Sequence, residues 1–81
     1  MAESPMSVDR ELDVCGLSCP LPLLKTKKAL AQMQSGEVLR VRATDPGAAQ
    51  DFELFARQTG HALLAQGRPE SATWVFYLRC R

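Results

Sequence analysis

The sequence has no apolar run near the roughly 20 residues that a membrane-spanning helix requires. Its opening, Met1-Ala2-Glu3-Ser4-Pro5-Met6, carries neither the basic nor the apolar stretch of a secretory signal, so we expect a cytoplasmic protein. It lacks an excess of either charge: 10 Lys plus Arg stand against 9 Asp plus Glu, a net +1. That balance argues against a domain built to grip nucleic acid or an anionic membrane. Aromatic residues are only 6%, and none interleaves with the cations Lys25, Lys27, Lys28, Arg40 and Arg42, so a stacking platform for nucleic acid is not expected. Histidine occurs once, at His61, and Cys15 and Cys19 have no second ligand pair downstream, which leaves a structural zinc site short of its four ligands. Cys80 makes the cysteine count odd, so free thiols or thiol chemistry explain these residues better than a disulfide scaffold.

What is there is an ordinary globular composition, 46% apolar and 23% charged, in 81 residues. That length allows one small domain with a radius of gyration of about 12 Å. Residues 1–9, rich in Ser, Pro and charge, read as a flexible leader, and 10–81 as the domain. Leu12 and Val14 alternate across Asp13 in a short strand from about Arg10 to Val14. Gly16 then supplies a turn. From Pro20 to Ser35 the apolar period becomes helical, with Leu23, Thr26, Ala29, Leu30 and Met33 on one face and Gly36 as the stop.

Leu39, Val41 and Ala43 mark a second strand. Asp45 as N-cap and Pro46 in the first helical position open a second helix, whose stripe is Ala48, Ala49, Phe52, Phe55, Ala56 and Thr59 and whose stop is Gly60. A third strand runs from His61 to Gln66, and 67–71 reads as a turn. A fourth strand, Thr73 to Cys80, turns Trp74, Phe76 and Leu78 inward. The order is β-α-β-α-β-β. It predicts an α+β two-layer sandwich, a four-stranded mixed sheet with two helices on one face.

The chemistry concentrates in Cys19-Pro20-Leu21-Pro22, where strand gives way to helix. Two prolines would each cost about 3 kcal/mol inside a helix, but little in its first turn, where amides have no intrahelical acceptor. With Pro20 at the first helical position and Pro22 at the third, Cys19 is expected as the N-cap, its sulfur over the positive end of the helix. Such a thiol should ionise more readily than a free one, although the prolines leave only Leu21 N–H and nearby groups to bond it. The prolines should also hold the sulfur in one orientation. A plainer reading makes Cys19 a small buried cap and the prolines helix starters.

The run from Leu12 to Lys25, centred on Cys19-Pro20-Leu21-Pro22, resembles the CPxP motif of the TusA/SirA/YedF family of small sulfur carriers. Met33-Gln34-Ser35-Gly36-Glu37, Asp45-Pro46 and Gly60-His61 extend the likeness over about residues 11–80. The resemblance implies the same β-α-β-α-β-β fold and a persulfide relay. Cys19 would accept a sulfane sulfur from a cysteine desulfurase or rhodanese-like donor and pass it to an acceptor protein, with no metal or organic cofactor. The transient intermediate would be a cysteine persulfide. In the family, thiouridine formation on tRNA is the commonest role, beside sulfur oxidation and molybdenum-cofactor enzymes. A sulfurtransferase-type carrier of this kind is not an enzyme turning over a small molecule.

Cys15 is not expected as a family-wide cysteine. It reads either as a second thiol, resolving Cys19 in a redox pair, or as an idle residue at the end of the first strand. Cys80, in the penultimate position, reads as incidental, and His61, after a helix-ending glycine, as a residue that starts the third strand rather than a catalyst. Leu21 and Leu24 point away from the helix stripe, so they are expected to be exposed and to form the centre of a partner contact rimmed by Lys25 and Lys28. The other occupants of that space would be the leader or the loop 16–18. We expect a monomer that contacts proteins, with no direct nucleic-acid or membrane partner. The competing readings are a thiol redox regulator using Cys15 and Cys19, and a non-catalytic interaction module.

Overall fold

The structure, a computed structural model, describes residues 8–70 and 72–81. Six elements follow in order: β1 (Arg10–Asp13), α1 (Leu21–Ala31), β2 (Val38–Ala43), α2 (Ala48–Thr59), β3 (Ala62–Glu70) and β4 (Thr73–Arg79). One sheet runs β1-β2-β4-β3. β1 pairs parallel to β2, with Leu12 opposite Val41, while β4 pairs antiparallel to both β2 and β3. This is the expected mixed sheet under two helices, and the Cα radius of gyration is 11.6 Å.

Period-two alternation puts Leu39, Val41, Ala43, Phe76 and Leu78 on the covered face, all fully buried. Against them α1 lays Thr26, Ala29 and Leu30, and α2 lays Ala48, Phe52 and Phe55. Phe52 stacks on Phe76 with ring centroids 4.4 Å apart, joining α2 to the sheet. Leu12, Leu23, Met33, Leu63 and Trp74 pack around this cluster while keeping some exposure. On the other face Glu11, Arg40 and Tyr77 stand in register across three strands. The Arg40–Glu11 and Arg42–Asp13 ion pairs there are 3.5 and 4.0 Å long and partly exposed, so they add little stability.

The differences from the sequence reading sit at element ends. The helical pattern continues to Ser35, but α1 stops at Ala31. Gln34 N–H turns to the Glu37 carboxylate at 2.8 Å, and Gly36 N–H reaches the Cys80 carbonyl at 2.8 Å. Side chain and strand thus claim amides that would have continued the helix, and Gly36 closes the turn at φ +90. Helix α2 begins at Ala48 with Gly47 as its cap, not at Asp45. The Asp45 main-chain carbonyl accepts Ala48 N–H at 3.0 Å, which leaves its side chain free to point elsewhere. Gly60 ends α2 as expected, in the left-handed region at φ +86.

The stretch read as a turn, 67–71, is mostly strand: β3 runs through to Glu70. β3 lies at the edge of the sheet, where a proline such as Pro69 removes no necessary ladder bond. Register shifts at Leu63/Ala65 and Gly67/Glu70 absorb the irregularity. Of the leader, residues 1–7 lie outside the described residues. Asp9 is tied to the sheet, its amide donating to the Val38 carbonyl at 2.9 Å and its carboxylate accepting Val38 N–H at 2.8 Å.

Candidate functional site around Cys19

The loop between β1 and α1 is anchored at each step. Val14 N–H donates to the Arg42 carbonyl at 2.8 Å, and Val14 itself is fully buried. Cys15 N–H donates to the Asp13 carboxylate at 2.9 Å. Gly16, at φ +84, donates to Thr44 Oγ1 at 2.8 Å, tying the loop to the end of β2. Leu17 N–H closes a turn onto the Val14 carbonyl. The chain then reaches Cys19, exposed, and crosses a cis peptide bond to Pro20.

Cys19 is not the N-cap. That position belongs to Pro20, so Leu21 is the first helical residue and Pro22 the second. Leu21 N–H is spent on the Ser18 carbonyl at 2.9 Å, and neither proline has an amide proton. The backbone donor expected to bond the sulfur is therefore engaged elsewhere. Pro22 is buried and helps seat α1 against the domain.

The thiol's electrostatics also run opposite to expectation. Cys19 is pushed up from its ordinary value, first by partial withdrawal from water and then by the negative charges of Asp51 and Asp45. Asp51 lies in the first turn of α2. The sequence reading did not single out Asp51, which lies off the apolar stripe of α2.

The remaining candidates separate cleanly. Leu21 and Leu24 are 45% and 56% exposed, as expected from the helix wheel. Lys25 and Lys28 are exposed and line a small cleft with Arg10, Leu12, Ala29 and Gln32, between α1 and β1. Cys15 is half-buried, and its thiol is pushed up by burial first and then by Asp13. Cys15 and Cys19 are both free thiols. Cys80 is buried, its Sγ 3.5 Å from the Leu30 carbonyl, and acts as a core residue. His61 is structural: its Nδ1 accepts Arg81 N–H at 3.0 Å, and its ring stacks on Phe55 at 5.9 Å. Among the described residues, no group of three or more His, Cys, Asp or Glu is arranged to hold a metal ion. Among the same residues, no helix is long and apolar enough to cross a membrane.

The site is thus an exposed cysteine at the start of a proline-opened helix, on a two-layer α+β sandwich. The particular family follows from comparison. A family model described as Sulfurtransferase TusA matches residues 10–80, and the chain belongs to that family. The chain is 49% identical over 71 residues to the sulfur carrier protein TusA of Allochromatium vinosum, covering 88% of this chain and 92% of that protein. A Neisseria meningitidis protein named as a candidate sulfur carrier is 72% identical over 53 residues, 65% of this chain and 72% of its own length. A SirA-like protein from Desulfitobacterium hafniense, solved by crystallography, shares the fold with a TM-score of 0.77 at 22% identity, covering 86% of this chain and 95% of that one. The fold and family expected from the CPxP resemblance are both found.

Proposed function

We propose that this protein carries sulfur as a persulfide on Cys19. The observation that carries the reading is the contrast among its thiols: Cys19 is exposed at a corner held by Pro20 and Pro22, whereas Cys15 is half-buried and Cys80 buried. Transfer to a partner requires that contrast, because a sulfur that must meet another protein's cysteine cannot lie in the core. In the loading step, Cys19 thiolate attacks the terminal sulfur of a donor persulfide. A new S–S bond forms on Cys19, the donor S–S bond breaks, and the donor leaves as a thiolate, with no net oxidation. An acceptor thiolate then repeats the exchange on Cys19. Neither step asks for a metal or organic cofactor.

The donor is a cysteine desulfurase or rhodanese-like protein and the acceptor a further sulfur-transfer protein, in the cytoplasm, with tRNA 2-thiouridine synthesis as the destination. Pro20 and Pro22 hold the corner. Leu21 and Leu24 form the apolar centre of the contact, with Lys25 and Lys28 on its rim, and the carrier works as a monomer. Incubation with a cysteine desulfurase and cysteine, followed by intact-mass measurement, tests this. Wild type, Cys15→Ser and Cys80→Ser should each gain one sulfur atom, and Cys19→Ser none. A loss of two hydrogens in place of the gain would indicate a Cys15–Cys19 redox pair, and no change an interaction module.

A further inference from the structure

The cleft between α1 and β1 is lined by Arg10, Leu12, Lys25, Lys28, Ala29 and Gln32, so its charge is of one sign. Strand alternation sorts the charges of β1. Arg10 shares a face with Leu12, which packs toward the core, whereas Glu11 and Asp13 stand on the opposite face and pair with Arg40 and Arg42. On α1, Lys25 and Lys28 are three residues apart and lie on one flank of the helix. Gln32, one turn further, accepts a hydrogen bond from Arg10 Nη1 at 3.1 Å, which fixes the guanidinium at that end of the cleft. Ala29, buried, and Leu12, half-buried, make an apolar floor. Among the described residues, no carboxylate pairs with Arg10, Lys25 or Lys28. The whole chain carries a net charge of only +1, so three cations on one cleft are a local feature.

We propose that this cleft docks an extended acidic segment of a sulfur-transfer partner, whose glutamate or aspartate side chains meet Lys25, Lys28 and Arg10. The proposal deepens the reading of the protein as a sulfur carrier and rests on it. Size favours a side chain over a cofactor: the cavity is about 140 Å³, below the roughly 300–1,000 Å³ of small-molecule sites. Position favours a chain lying along α1. Leu21 and Leu24, both exposed, precede the lysines on that helix. From Leu21 to Gln32 the helix spans about 17 Å, the length of about five residues of extended chain. β1 is an outer strand, with no neighbouring strand on its free side among the described residues, so extended chain can run beside it. Nucleic acid fits less well, because no aromatic residue lines the cleft to stack a base. Exposed cations speed encounter with an acidic surface more than they tighten binding, which suits a carrier that must leave its partner again.

The test is a titration followed by amide NMR at low salt, with three probes: the blocked peptide EVEVE, its neutral counterpart QVQVQ, and a short oligouridine. EVEVE should shift the amides of residues 10–12 and 25–32 and bind about tenfold more tightly than QVQVQ, and salt should weaken it by screening exposed charges. Lys25→Gln/Lys28→Gln should weaken EVEVE binding about tenfold and leave QVQVQ as it was, while Lys25→Arg/Lys28→Arg should retain the preference. Arg57→Gln removes an exposed charge of α2 outside the cleft and should change nothing. Equal binding of the two peptides, shifts centred elsewhere, or tighter binding of the oligouridine in the same cleft would overturn the proposal. Sulfur loading of the same wild-type sample is read by intact mass. A protein that takes sulfur on Cys19 but ignores EVEVE would overturn the acidic segment alone. One that binds EVEVE but takes no sulfur would overturn the carrier reading, and with it the assignment of the segment to a sulfur-transfer partner.

Discussion

Leu21 N–H donates to the Ser18 carbonyl at 2.9 Å, and this bond decides what Cys19 can be. It closes the turn that carries the cysteine and removes the amide that would otherwise have faced the sulfur. With Pro20 and Pro22 lacking amide protons, the start of α1 offers the thiol a rigid mount rather than a set of donors. Orientation, more than activation by the helix, is the contribution of the CPxP segment.

Pro22→Ala tests that division. The proline is buried, so trimming it should cost about 1 kcal/mol of packing and lower the melting temperature by about 4–8 °C. Sulfur transfer should slow because the turn loosens, while the pH midpoint of Cys19 alkylation stays where it is. A lowered midpoint with unchanged transfer would assign the prolines an electrostatic role instead.

Leu24→Lys tests the docking patch. Leu24 is 56% exposed, and surface changes of this kind usually alter stability by less than about 0.5 kcal/mol. We expect a melting curve close to wild type and a clear loss of sulfur transfer to or from the partner protein. Normal transfer in this variant would remove Leu24 from the contact.

Thr26→Val should stabilise the protein. Thr26 is fully buried on α1, and its Oγ1 has no hydrogen-bond partner among the described residues. A methyl group fills the same space without an unsatisfied hydroxyl, for a gain of about 1 kcal/mol. Chemical denaturation should show a higher midpoint at unchanged slope.

The pH dependence of stability should carry a mark of His61. Burial, and then the charge of Arg81, lower its pKa from the ordinary 6.5, and protonation of Nδ1 would break the bond from Arg81 N–H. The unfolded chain thus takes up this proton more readily than the folded one. The contribution is present above pH 6.5 and is lost as pH falls below it through the lowered folded value. The melting temperature should drop between pH 7.5 and 5.5, and His61→Asn should flatten that part of the profile.

Element order, both helix stripes and the inward set of β4 could be read from the chain, because burial against one sheet face imposes periods of 3.6 and 2 that survive any detail of packing. Cys19-Pro20-Leu21-Pro22 was legible for a local reason: prolines restrict backbone angles whatever surrounds them. Boundaries were less so. Whether α1 stopped at Ala31 or Ser35 depended on Glu37 and Cys80 competing for its last amides, and whether Pro69 sat in a turn or a strand depended on β3 lying at the edge. The electrostatics of Cys19 were out of reach in the same way. Asp51 lies 32 positions downstream of Cys19 in the chain, and its charge acts on the thiol only because α2 packs beside α1 on the same face of the sheet. Local restriction is written in neighbouring residues, whereas a charge acts through space, and the folded chain sets the distance over which it acts.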